Sequence, residues 1–86
     1  MTVTFYGGVL AHTDEEKSFS LIECTDVHGA IDELGRRFGE KFRKFLLDGE
    51  NCFFLINGRG LAATGGLATI LSPGDKIEVL PFIDAG

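Results

Sequence analysis

The 86 residues, 44% hydrophobic and 24% charged with eight Phe, specify one folded domain over 1–86: too short for a multidomain enzyme and too apolar to stay disordered. Eight Lys and Arg against thirteen Asp and Glu leave a net charge of −5, which repels phosphate backbones and anionic lipid and argues against nucleic-acid or membrane-surface partners. With no apolar run of bilayer length and no leader-like start, the expected location is cytoplasmic.

Thr2-Val3-Thr4-Phe5-Tyr6 alternates polar and apolar residues at the period of a half-buried strand, and Gly7-Gly8 stops it. The polar run from His12 to Lys17 is a turn, and Ser18 to Glu23 resumes the alternation, which predicts an antiparallel hairpin. Thr25 or Asp26 caps a helix whose Val27, Ala30, Ile31, Leu34 and Phe38 share one face. Gly35 and Gly39 weaken its end, and Phe42, Phe45 and Leu46 begin a second short periodic stretch, so a break falls near Gly39. The loop from Asp48 to Asn51 leads into Cys52-Phe53-Phe54-Leu55-Ile56, a continuous apolar run expected to be a central strand ended by Asn57-Gly58. Gly58 to Gly66 is glycine-rich but lacks the Lys followed by Ser or Thr of a phosphate loop, and is expected to be a flexible loop. Ser72-Pro73-Gly74-Asp75 is a turn, and Lys76 to Phe82 is the last strand, with Ile77 and Val79 on one face and Glu78, Leu80 and Phe82 on the other. Residues 83–86 are expected to leave the sheet as a flexible tail, since Pro81 has no N–H to donate and the residues after it shrink toward Gly86.

Strand, strand, helix, strand, strand is an α+β arrangement: a mixed sheet packed on one main helix. With the first and last strands side by side at its centre, it is a β-grasp roll. The expected core is Val3, Phe5, Leu21, Ile31, Leu34, Phe38, Leu55 and Ile77. One helix covers one face of the sheet, so the apolar residues of the other face, Phe54, Leu80 and Phe82, form a candidate docking patch; the alternative is that the second helix and the Gly58 to Leu71 loop cover them.

Catalytic constellations are missing from the sequence. His12 and His28 have no second ligand at metal spacing, so no metal and no cofactor is expected. Ser18, Ser20 and Ser72 lack a nucleophile-elbow context, and Cys24 and Cys52 match no redox or zinc spacing, which predicts free, buried thiols and no enzyme activity. The basic residues Arg36, Arg37, Lys41, Arg43 and Lys44 are interleaved with Glu33 and Glu40 at helical spacing, as in a solvated helix face; docking of an acidic partner is the competing reading.

Ile56-Asn57-Gly58-Arg59, the block from Ser72 to Pro81 and the tail ending on Gly86 resemble the small ubiquitin-like sulfur carriers of the molybdopterin-synthase small-subunit and thiamine-carrier type. The resemblance implies a carrier rather than an enzyme. Its C-terminal carboxylate, here at Gly86, would be adenylated by an ATP-dependent ubiquitin-activating-like (E1-like) enzyme and converted to a thiocarboxylate. A downstream sulfur-accepting enzyme, such as a molybdopterin-synthase large subunit, would then receive the sulfur. Ile83, Asp84 and Ala85 would be the tail that threads the partner's channel. The end departs from the usual Gly-Gly: Ala85 precedes Gly86, and Asp84 stands where a small neutral residue is common. A second hypothesis is therefore a ubiquitin-like binding or regulatory subunit with an inert Ala-Gly tail.

Overall fold

The computed structural model describes residues 1–13, 17–20, 24–48 and 51–81. Strand β1 (Thr2–Phe5) turns Val3 and Phe5 inward and Thr2 and Thr4 outward, as its alternation dictates. The chain then makes a 3-10 turn, Gly7–His12, before β2 (Ser18–Ser20) returns antiparallel to β1. That turn drops Val9 fully into the core; the three apolar residues Val9, Leu10 and Ala11, between two glycines and a polar run, are too few to carry a period.

Helix α1 (Val27–Phe38) is capped by Asp26, whose carboxylate accepts the Gly29 N–H at 2.7 Å. Val27, Ala30, Ile31 and Leu34 are its buried face. The break comes at Gly39, whose N–H bonds the Gly35 carbonyl at 2.8 Å, and α2 (Glu40–Leu47) follows at once. Arg43 ties the two helices together, its Nε 2.9 Å from Asp32 Oδ1. Between helices and sheet, Phe42 meets Phe5 and Phe38 edge to face at centroid distances of 5.7 Å each, geometry that favours aromatic pairs beyond their burial alone.

Strand β3 (Cys52–Ile56) leads into β4 (Arg59–Gly60) through Asn57 and Gly58, both at positive φ (53° and 84°). This is the two-residue hairpin that Asn-Gly favours. The stretch expected to be a flexible loop thus holds β4, a helical turn α3 (Leu61–Thr64) and a 3-10 turn, Gly66–Ala68. Strand β5 (Lys76–Pro81) completes a five-stranded sheet in the order β2-β1-β5-β3-β4. β5 runs parallel to β1 and antiparallel to β3. This is the expected β-grasp: a mixed sheet with the last strand at its centre and α1 across one face.

The core joins Val3 and Phe5 of β1, Ile77 and Val79 of β5, and Cys52, Phe54 and Ile56 of β3 to the buried faces of both long helices. The assignment of faces on β3 is therefore corrected: Phe54 is 5% exposed and in the core, while Leu55 is half-buried on the other side. Register is the cause. Phe54 lies opposite Val79 and Ile56 opposite Ile77, so the inward row of β5 selects the even-numbered row of β3. Phe38 is half-buried against the core rather than within it. Leu21, Phe82 and the tail residues Ile83, Asp84, Ala85 and Gly86 lie outside the described residues.

Candidate functional site

The sheet face away from the helices divides into two halves. On the β1–β2 side it is polar: Ser18, Ser20, Thr2, Thr4, Lys76 and Glu78 point outward, and the Tyr6 hydroxyl donates to Glu78 Oε2 at 2.8 Å. That bond, foremost, raises the Tyr6 pKa, so the phenol remains a donor at neutral pH. On the β3–β5 side the face is apolar. Phe53 lies opposite Leu80, with Leu55 one pleat further along β3, and all three are half-buried. Phe54, expected on this outer face, is thus inward; Phe53 and Leu55 occupy the face in its place, and Leu80 keeps its expected outward position. Of the segment after β4, Leu61 packs against the core, the Gly66–Ala68 turn contacts α1, and Leu61, Ala62 and Leu67 line a cavity beside Phe53.

Position along β5 gives the apolar half its importance. Leu80 and Pro81 end the central strand, so the patch sits at the root of the C-terminal tail. The other end of β5 is fixed by a compact polar network. The Asn57 amide donates to Asp75 Oδ1 at 3.0 Å, the Lys76 N–H donates to Asn57 Oδ1 at 2.9 Å, and the Ser72 N–H donates to Asp75 Oδ2 at 2.8 Å. The Asn57 bond first, and the Ser72 bond second, hold the Asp75 carboxyl below its usual range. The sequence blocks around Asn57 and around Asp75, far apart in the chain, thus form one fixture that registers β5 against β3.

Neither thiol is prepared for chemistry. Cys52 lies opposite Pro81 at the tail root, yet burial, with a smaller contribution from Asp48, pushes its thiol up to about 11. Cys24 is likewise raised, chiefly by burial, and its Sγ lies 3.4 Å from Met1 Sδ. Both are free thiols. His28 is exposed on α1, 3.4 Å from Asp32, and His12 closes the first 3-10 turn. Among the described residues no group of three His, Cys, Asp or Glu is placed to hold a metal ion, and no helix is long and apolar enough to cross a membrane. Of the basic residues, Arg36 pairs with Glu33 at 2.6 Å and Arg43 with Asp32 and Glu40, the pattern of a solvated, cross-linked helix surface.

Strand order, the parallel β1–β5 pair and the covering helix define the class: ubiquitin-like β-grasp proteins. Solved structures agree. CysO of Mycobacterium tuberculosis superposes with a TM-score of 0.82 at 24% identity, covering 95% of this chain and 98% of that one. The Amycolatopsis orientalis BexX/CysO complex gives 0.81 at 23% identity, covering 99% and 98%. The complex of subunits 1 and 2 of the Helicobacter pylori molybdopterin-converting factor gives 0.65 at 25%, covering 99% and 96%. A sequence search among curated proteins finds no match. The model of the ThiS family matches residues 3–86, and the chain belongs to that family of small ubiquitin-like sulfur carriers, which serve enzymes as substrates rather than acting as enzymes.

Proposed function

We propose that this protein carries sulfur as a thiocarboxylate at Gly86. The observation that supports this reading most is the placement of the apolar residues Phe53, Leu55 and Leu80 on one outer face, beside Pro81 and so within a few residues of Gly86 in the sequence. A partner gripping the patch holds the chain a few residues before the terminus that must react.

In the proposed cycle the Gly86 carboxylate attacks the α-phosphorus of ATP on an E1-like activating enzyme, and pyrophosphate leaves. A sulfide-level donor then displaces AMP, giving the thiocarboxylate. The carboxylate alone is a poor electrophile, and its mixed anhydride with AMP is a good one. The described thiols support chemistry at the terminus rather than through cysteine, since both are raised by burial. The charged carrier next meets a sulfur-accepting enzyme of the molybdopterin-synthase or a related type; the complexes formed by CysO and by the molybdopterin-converting factor support a life spent between two partners. Phe82 and the tail residues Ile83, Asp84 and Ala85 lie along the path into the partner, where Asp84 calls for a basic channel wall.

A binding-only role through the same patch is the second reading, and Ala85 in place of the usual Gly is the feature that favours it. ATP–pyrophosphate exchange separates the two. With its activating enzyme the full chain supports exchange and a chain lacking Gly86 does not; exchange that is absent from the full chain but present in Ala85→Gly assigns the natural protein to the binding-only role.

A further inference from the structure

The end of β1 and the end of β5 meet at an unusual contact. The β1–β5 ladder continues past Phe5, opposite Val79, to the Tyr6 N–H, which donates to the Val79 carbonyl at 3.1 Å. One residue later the same register brings Gly7 level with Pro81. There β1 turns away: Gly7 has φ +58° and starts the 3-10 turn. A Cβ added to Gly7 would lie 2.8 Å from Pro81 Cγ and 3.3 Å from Pro81 Cδ. The Pro81 ring therefore occupies the space that any side chain at position 7 would need. Pro81 is opposite Cys52 of β3 on its other flank, and a ring closed onto its own backbone cannot swing aside as a long side chain would. Gly7 thus meets two demands together, a left-handed turn and a missing Cβ.

We propose that Gly7 is a positioning residue for the end of β5: by turning away from β5 and admitting the Pro81 ring, it fixes the place and heading of Pro81 relative to Phe53 and Leu80, and so the point from which the terminus is delivered. This rests on the carrier reading above, because direction matters only if Gly86 must be delivered to a reacting phosphate. A terminus displaced by about 1 Å at such a site can lose about a hundredfold in rate. Gly8 is the internal control. It is next in sequence, its φ is not positive, and a Cβ there would meet nothing within 4 Å.

The test compares wild type, Gly7→Ala, Gly8→Ala and the double variant Gly7→Ala with Pro81→Ala. ATP–pyrophosphate exchange is measured against carrier concentration with the activating enzyme, alongside backbone amide spectra of each chain. Gly7→Ala is expected to lower kcat by about tenfold to a hundredfold with KM nearly unchanged, because the docking patch is untouched. Gly8→Ala should match wild type, and removing the Pro81 ring should recover part of the lost kcat. A simple loss of folded protein would instead raise the apparent KM and would not be relieved by Pro81→Ala. Where Gly7→Ala does not fold, Gly7→Asn, which accepts a left-handed φ but keeps the Cβ, takes its place. Unchanged kcat, or a loss confined to KM, overturns the proposal. If wild type supports no exchange, it is the carrier reading that fails, and the positioning claim is decided by the Leu80 and Phe82 amides. Shifts in Gly7→Ala that are absent in Gly8→Ala and reversed in the double variant uphold it; unmoved amides overturn it.

Discussion

Along β3 two rows of side chains alternate that are alike in chemistry and opposite in use. Cys52, Phe54 and Ile56 are 3, 5 and 4% exposed and pack under the helices. Phe53 and Leu55, equally apolar, stand half-buried on the outer face beside Leu80. Nothing in the residue types separates the rows. The separation comes from β5, where Ile77 and Val79 alternate with Lys76 and Glu78 and so reveal which side is wet, and from a single helical layer that has only one face to cover. A strand apolar on both faces, next to one that alternates cleanly, leaves a second apolar row outside the core, and it is this row that the proposed docking uses.

The comparison is broken most directly by truncating one Phe from each row. Phe54→Ala should destabilise the fold by about 3–5 kcal/mol, the usual cost of removing a buried aromatic, read from urea unfolding. Phe53→Ser should cost under about 1 kcal/mol in the same experiment, yet weaken association with the activating enzyme by about 1–2 kcal/mol, as loss of an anchor at an interface does. Equal stability losses from the two variants would mean that the rows are not distinct.

The polar network at the far end of β5 sharpens the comparison through pH. Asp75 is held below its ordinary value of 3.8 by Asn57 and then Ser72, and Asp32 is held below it first by the Arg43 hydrogen bond. A carboxyl lowered in the folded state binds protons less readily than in the unfolded chain. The stability it contributes is therefore complete above 3.8 and is lost as pH falls through the lowered folded value. Urea midpoints should show no pH dependence from either group between about pH 5 and pH 7, where both contribute fully, and should drop in acid below about pH 4. Asn57→Ala should make that acid limb shallower; a limb like that of wild type would show that Asn57 does not set the Asp75 carboxyl. The smallest effect concerns the thiols. In the folded protein Cys52, at about 11, should react with iodoacetamide more slowly than the half-buried Cys24, and both should speed up in urea. A Cys52 that reacts first would contradict its placement in the inward row.

Much of this was legible from period and punctuation. Strand β1, the α1 face and the bend at Gly39 follow from residue spacing, and the central pairing of first and last strands from their apolar character. What escaped had physical causes. Val9 lies in an apolar run of three, Val9-Leu10-Ala11, too short to carry a period. Asn57-Gly58, expected to end a strand, is also the strongest short hairpin signal a sequence offers, and in that role it predicts β4. The face of Phe54 is not legible because a continuous apolar run carries no phase of its own; the outward side of Leu80 is, because β5 alternates. The contact between Gly7 and Pro81 joins residues 74 positions apart, and only the parallel pairing of β1 with β5 brings them together.

The central claim, that Gly86 carries the sulfur, is tested most directly by the intact mass of the full chain after incubation with its activating enzyme, ATP and a sulfide donor. The account predicts a gain of about 16 Da, oxygen replaced by sulfur, confined to the C-terminal peptide and absent when Gly86 is deleted. An unchanged wild-type mass under conditions in which Ala85→Gly acquires the shift would contradict it.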